Sequence, residues 1–379
     1  MERVDVAIVG GGPAGSSLAW GLRGSGLRVR ILDRATFPRD KTCAGWVTPA
    51  VWRALGLSPA DYAATGFTLQ PIRGFEVGRI GGHSAKAIQR EVVSYGIRRC
   101  EFDAYLLGRC GAELRLGEPV RAVARERDGW LVNGALHARL LVGAGGHFCP
   151  VARALVAVPN KEPAIAAQEI EAPLRASEAR ELALDAEVPE LWFTRDLAGY
   201  GWVFRKGGFL NVGIGRRGGG VADAMRSFLA QLRESRRIPV SWDGAARGHA
   251  YLTYSHATRP LWRAGAALIG DAAGFAHDKS GEGIRPAIES GLLLARALLR
   301  ARSAIDGAAL EAYAESVCAR FGSRARSLDG AGFALPAWQA AAVGALLGRP
   351  WFARRVVVQR WFLNLGQAEL APQRARSTR

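Results

Sequence analysis

Lysine is scarce in this chain: only five of its 51 basic residues are lysines, and with 34 acidic residues the formal net charge is +17. The arginines are scattered and no reader motif accompanies them, so nucleic acid is not expected as a partner. Charge of this sign suits an anionic membrane, an anionic substrate or an acidic electron donor; the accompanying Ala and Gly bias suits a purely compositional origin equally well. Cysteine is scarce too. The five (Cys43, Cys100, Cys110, Cys149, Cys318) are odd in number and never spaced as CxxC. That speaks against a structural zinc site and fits a reducing, cytoplasmic setting. The six histidines show no metal spacing, so no metal is expected. Long apolar runs are missing. Ala337 to Gly348 is too short to span a bilayer, and Met1 to Val4 leads straight into a strand without a signal-peptide pattern. The expectation is a cytoplasmic protein, at most peripheral to the inner face of the membrane.

What is present begins at the N-terminus. Val4 to Val9 reads as a buried parallel strand, Gly10-Gly11-Gly12-Pro13-Ala14-Gly15 as a turn, and Ser16 onward as a helix that Gly26 breaks. A second strand, Leu27 to Leu32, closes on Asp33. In this G-x-G-x-x-G unit Gly10 permits the tight turn, Gly12 admits a pyrophosphate, and Gly15 lets helix and strand pack. Asp33 is placed to accept hydrogen bonds from a ribose diol. A second match, Gly213 to Gly218, lacks an acid closing a parallel strand and reads as a decoy.

Further along, Val120 to Val142 alternates like a β-meander, and Ala164 to Gly215 is strand-rich. Val221 to Arg233 forms an amphipathic helix, Ala266 to Ile269 a buried strand, and Gly283 to about Arg302 a long helix. Tyr200 and Trp202 are alternate residues of one strand and face one side.

Ile269-Gly270-Asp271-Ala272-Ala273-Gly274-Phe275, followed by Ser280-Gly281-Glu282-Gly283-Ile284, resembles the second FAD fingerprint of flavoproteins related to aromatic hydroxylases. More narrowly, three segments resemble the geranylgeranyl reductase family. Lys41-Thr42-Cys43-Ala44-Gly45 is similar to its Lys-x-Cys-Gly-Gly loop, and Tyr200-Gly201-Trp202-Val203-Phe204-Arg205-Lys206-Gly207 to its substrate-domain signature. Arg99-Cys100-Glu101-Phe102-Asp103 is similar to its Arg-x-x-Phe-Asp helix start. The resemblance covers residues 1 to about 300.

It implies an α/β fold, with a Rossmann-type FAD-binding domain interleaved with a mixed β-sheet substrate domain, and a helical C-terminus. The FAD-binding parts are expected at 1–65, 96–155 and 261–305, the substrate-domain parts at 66–95 and 156–260, and the helical region at 306–379. The implied activity is FAD-dependent reduction of carbon–carbon double bonds of an isoprenoid or lipid-like substrate. A monooxygenase on the same scaffold and a non-catalytic electron relay are the alternatives.

The cofactor FAD is expected on Gly10, Gly12, Ala14, Gly15, Asp33, Arg34, Cys43, Ala44, Gly45, Arg99, Gly145, Gly270, Asp271, Gly281, Gly283 and Ile284. Cys43, Tyr200 and Trp202 are the expected catalytic residues. Trp46, Tyr200, Trp202 and Phe204 are expected to line the pocket of a hydrophobic small-molecule substrate. Electrons would come from NAD(P)H or a reduced carrier protein. Where the wider class has Gly-Ala-Asp-Gly, this chain reads Gly143-Ala144-Gly145-Gly146, which places the use of a pyridine nucleotide in question. Arg205 and Ala44 also depart from the family pattern. His277 and Asp278 are further polar candidates near the flavin. Trp351-Phe352-Ala353-Arg354-Arg355, with Arg360-Trp361-Phe362, suits either a membrane surface or packing on the protein's own domain.

Overall fold

A computed structural model describes residues 1–156, 162–302, 305–324 and 337–372. Of the expected C-terminal helical region, 325–336 and 373–379 therefore lie outside the described residues.

Two large sheets organise the chain. The strand Glu2–Val9 is apolar and buried along most of its length, the pattern of a strand covered on both faces. It pairs in parallel with Val29–Asp33 on one side and Leu136–Gly143 on the other. Glu113–Leu116 and Ala266–Leu268 extend the parallel order outward, and a β-hairpin (Val123–Glu126, Gly129–Val132) pairs antiparallel with Leu136–Gly143. The helices Pro13–Gly21 and Ile284–Arg300 pack against each other. Small residues set that approach: a Cβ at Gly291 would lie 2.5 Å from the Ala14 carbonyl oxygen.

The second sheet runs in the order 247–251, 165–173, 209–216, 199–206, 190–193, 74–79, 84–88. Its strands pair antiparallel except where Glu190–Phe193 meets Gly74–Arg79. Residues from widely separated stretches thus share one sheet, and the chain passes back and forth between the two sheets. A small third sheet joins Trp46–Val47, Leu69–Ile72 and Ser94–Ile97.

The period of two divides the second sheet into two faces. Val203 and Val212 pack with Met225, Phe228 and Leu232 of the helix Val221–Glu234. Trp202 and Phe204 lie on the other face, with Phe352, Val357, Val358 and Phe362 of the C-terminal helical segment. The decoy glycine motif is explained here. Gly213 sits mid-strand, and a Cβ on it would fall 2.2 Å from the Trp202 ring, so it is a packing glycine.

Candidate active site

The first turn is built for close approach. Gly10 has φ +118°, and a Cβ there would meet the Ala144 carbonyl carbon at 2.5 Å; at Gly15 it would meet the Gly10 oxygen at 2.0 Å. Gly12 is different. A Cβ there would meet only the Arg39 guanidinium, at 3.4 Å, so nothing in the protein itself demands a glycine. The Arg39 side chain pairs with Asp103 at 3.1 Å, and its Nη1 is buried without a hydrogen-bond partner among the described residues. Asp33 closes the unit: its Oδ2 accepts from the Gly11 N–H at 2.7 Å and its Oδ1 from the Ala35 N–H at 2.9 Å. Arg34 is exposed beside it.

Neither packed helix has a side-chain cap or an acidic residue in its first turn. The positive ends of both dipoles face outward, although in the second helix the Arg285 N–H is already accepted by the Glu282 side chain at 3.3 Å. A glycine whose missing Cβ leaves free space, an orphaned guanidinium nitrogen beside it and the uncapped N-terminus of Pro13–Gly21 fit the pyrophosphate of FAD.

The second turn lies alongside the first. Gly270 has φ +58°, and its Cβ would crowd that of Ala14 at 2.9 Å. Asp271 Oδ2 lies 3.5 Å from His249 Nε2, which the Lys41 amine approaches at 2.7 Å. Burial pushes the Lys41 amine down to about 8, against the pull of Asp271. Burial also lowers His249, and Lys41 adds to the effect, although Asp271 opposes it. For Asp271 burial acts upward but is outweighed by His249, Lys41 and Arg99, which hold the carboxyl below its ordinary range.

Cys43 donates its backbone N–H to Glu169, a buried residue of the second sheet. Burial, with help from Glu171, pushes Glu169 up to about 7 against Lys206 and the Cys43 N–H. Gly45, at φ +68°, brings the loop within 2.8 Å of Lys206 Nζ, measured from where its Cβ would stand. Arg99 grips Asp103 with two hydrogen bonds of 2.8 Å. A cavity of about 330 Å³ lies here, lined by Lys41, Arg98, Arg99, Glu169, Glu171 and Arg247 among others.

The aromatic signature sits next to these charges. Phe204 packs on Trp46 with ring centroids 5.9 Å apart. Trp202 donates its indole N–H to Asn211 at 2.7 Å, and Asn211 donates to Glu171, which also accepts from Lys206 at 2.7 Å. Tyr200 donates its hydroxyl to the Ser280 carbonyl of the second glycine turn. Burial holds both Tyr200 and Tyr251 protonated, and the Tyr251 hydroxyl lies against Gly281, where a Cβ would stand 2.2 Å away. Phe362 covers this apolar face, 5.0 Å from Tyr200 and 6.0 Å from Trp46.

Most expected site residues therefore gather around the two turns and the loop at 41–45. Ile284 is buried at the start of the long helix, and Gly283 lies against Asp271, where a Cβ would come within 3.2 Å. Ala44 packs at the edge of the aromatic cluster. Gly145 is exposed; a Cβ there would lie 3.3 Å from the Cys149 sulfur. Sequence reasoning missed Arg39, Glu169, His249 and Tyr251, which reach the site from a loop and from distant strands. It also missed Glu126, Asp128 and His137, which meet on the hairpin of the first sheet, with His137 Nε2 3.6 and 3.2 Å from the two carboxylates.

Residues 3–55 match the model of the FAD binding domain family. The chain is 30% identical to a menaquinone reductase of Mycobacterium tuberculosis over 78% of this chain and 77% of that protein. It is 29% identical to digeranylgeranylglycerophospholipid reductase 1 of Methanopyrus kandleri, over 76% and 78%. The chain belongs to the geranylgeranyl reductase family of FAD-dependent oxidoreductases. Its fold matches a geranylgeranyl bacteriochlorophyll reductase-like protein of Thermoplasma acidophilum with a TM-score of 0.74, at 19% identity and 92% coverage of both chains. As a member of the geranylgeranyl reductase family the protein is a flavoenzyme with FAD as cofactor. No described helix is long and apolar enough to cross a membrane.

Proposed function

We propose that this protein reduces carbon–carbon double bonds in an isoprenoid chain. The observation that carries this reading is the direct link between the second glycine turn and the buried aromatic cluster of Trp46, Tyr200, Trp202 and Phe204, which would open as the prenyl chamber; the Tyr200 hydroxyl makes it on the Ser280 carbonyl. The relatives' substrates, by name a menaquinone and a digeranylgeranyl lipid, both carry polyisoprenoid chains.

In this reading Gly10, Gly12, Ala14 and Gly15 receive the pyrophosphate with Arg39, while Asp33 and Arg34 take the adenosine ribose end. Gly270, Asp271, Gly281, Gly283 and Ile284 seat the remainder, with Cys43, Ala44, Gly45, Arg99 and Gly145 along its edges. Bound reduced FAD supplies a hydride equivalent. The protein's own part is to hold the alkene and keep water away. Trp46, Trp202 and Phe204 are nearly or fully buried and offer apolar ring faces to a prenyl chain. Tyr200, kept protonated by burial, presents a hydroxyl at the junction of chamber and turn. Cys43 stands at the same junction. Electrons arrive from NAD(P)H or a reduced carrier protein.

The substrate enters from a membrane surface in the same reading. Arg349, Trp351, Arg354 and Arg355 are exposed on the segment whose inner side covers the chamber, and Trp351 is 57% accessible. A basic outer face with an exposed indole suits an anionic bilayer surface. Incubating the holoprotein anaerobically with dithionite and a geranylgeranyl lipid tests the activity. The expected product has gained two hydrogens per reduced bond; an unchanged lipid mass contradicts the reading.

A further inference from the structure

The turn after Asp271 carries a second group of ionisable side chains that the chamber does not use. Glu282 is 7% exposed. Its Oε1 accepts from the Arg285 backbone N–H at 3.3 Å, while its Oε2 is buried with no hydrogen-bond partner among the described residues. An unsatisfied buried carboxyl oxygen is costly, and such groups cluster where proton chemistry is done. His277 Nε2 lies 3.8 Å from that oxygen. His277 also lines a cavity of about 680 Å³ that opens to solvent, together with Tyr254, Asp278, Arg320, Asn364 and Gln367 among others, and the Asn364 amide lies 3.4 Å from the same Nε2.

The surrounding charges are defined on every side. The helix Ile284–Arg300 contributes Arg285 and Glu289, whose side chains pair at 2.9 Å, and the helix Gly307–Phe321 contributes Arg320, which binds Glu289 at 2.6 Å. Asp278 lies on the turn itself, and the Glu282 charge is felt by Tyr200 across it. Burial pushes the Glu282 carboxyl up to about 7; Arg285 opposes this and Glu289 adds to it. Burial, reinforced by Arg285, lowers His277 to about 4. Near neutral pH the acid is poised between its two forms and the imidazole is neutral, with one nitrogen to accept and one to donate.

We propose that Glu282 is a proton reservoir for the flavin turn, refilled from cavity water through His277. Reduction of an alkene consumes one hydride equivalent and one proton. The carboxyl proton of Glu282 would pass to the alkene carbon that does not take the hydride equivalent, leaving Glu282 a carboxylate. His277 then relays a proton from cavity water to that carboxylate, one ring nitrogen releasing a proton as the other takes one up, and bulk buffer restores the water. No electrons move in these steps. The inference rests on the placement of FAD at this turn and not on the identity of the substrate.

The test uses the holoprotein without any substrate. The flavin midpoint potential is measured across the neutral pH range, and proton uptake after photoreduction is followed with an indicator dye. The wild type is expected to show a break in the potential–pH plot near pH 7, where Glu282 titrates. Glu282→Gln should lose the break while keeping flavin and far-UV spectrum, and Glu282→Asp should restore it. His277→Asn should keep the break but slow proton uptake at least tenfold. An unchanged break in Glu282→Gln, or unchanged uptake in His277→Asn, overturns the proposal. Should Glu282→Gln not fold, an infrared pH titration of the wild type decides: a protonated carboxyl band that fades near neutrality supports the reservoir, and its absence overturns it. A preserved break in a protein that reduces no prenyl lipid would sink the substrate reading and leave the relay standing.

Discussion

Trp202 donates its indole N–H to Asn211 Oδ1 at 2.7 Å, and Asn211 passes the connection to Glu171 at 3.1 Å. The large aromatic of the buried cluster is thus oriented from behind by a buried polar chain, in which Lys206 is fully buried against Glu171. Asn211→Leu leaves the indole N–H and one side of Glu171 unsatisfied and should cost about 1–3 kcal/mol. Gly213→Ala, which drives a methyl into the Trp202 ring, should cost at least as much. Urea unfolding of the two variants checks both values.

The three glycines of the first turn answer to different demands, and alanine should separate them. Gly10→Ala and Gly15→Ala collide with backbone and should disrupt folding. Gly12→Ala meets only one flexible guanidinium and should fold, yet lose at least tenfold in FAD affinity, about 1.4 kcal/mol. Thermal melts beside flavin-retention measurements distinguish the two outcomes.

Tyr200→Phe removes the hydroxyl that ties the substrate sheet to the Ser280 carbonyl while keeping the ring on Phe362. Flavin content should be unchanged, and turnover of a prenyl lipid should fall roughly three- to tenfold, the worth of one hydrogen bond of about 1 kcal/mol. A simultaneous loss of flavin would show the contact to be structural.

Glu169 makes the apoprotein sensitive to pH in a definite direction. Its carboxyl titrates at about 7 in the fold against 4.5 ordinarily, chiefly because it is buried. Between those values the folded chain keeps a proton that the unfolded chain releases, so stability falls as pH rises through the window, by up to about 1.4 kcal/mol per pH unit. Glu169→Gln removes this contribution, and its melting temperature should fall less than the wild type's between about pH 5 and about pH 8. Parallel curves for the two proteins would contradict the assignment.

The parts of the site that were legible in the sequence are those whose determinants are local. Gly10, Gly12, Gly15 and Asp33 stand within one βαβ unit, and Gly270-Asp271 with Gly281 to Ile284 within one strand–turn–helix, so spacing alone exposes their geometry. The aromatic face of Tyr200, Trp202 and Phe204 follows from the period of a strand. What was not legible comes from sheet pairing over long separations. Glu169 lies beside the Cys43 loop and His249 beside Lys41 because Ile165–Pro173 pairs with Arg247–Tyr251, a register no local pattern announces. Arg99 and Asp103 are four residues apart on one helix, a spacing that by itself allows their ion pair. The covering role of Phe362 depends on a tail whose mixed aromatics and arginines suit a packed helix and also a membrane surface, so composition alone does not place it.

The central claim is tested most directly by photoreducing the holoprotein without oxygen and mixing it with a geranylgeranyl lipid, with the fully saturated lipid as control. The account predicts that the oxidised flavin band returns with the unsaturated lipid alone, and that the recovered lipid has gained two hydrogens per flavin reoxidised. A flavin that stays reduced with both lipids until air is admitted would contradict it.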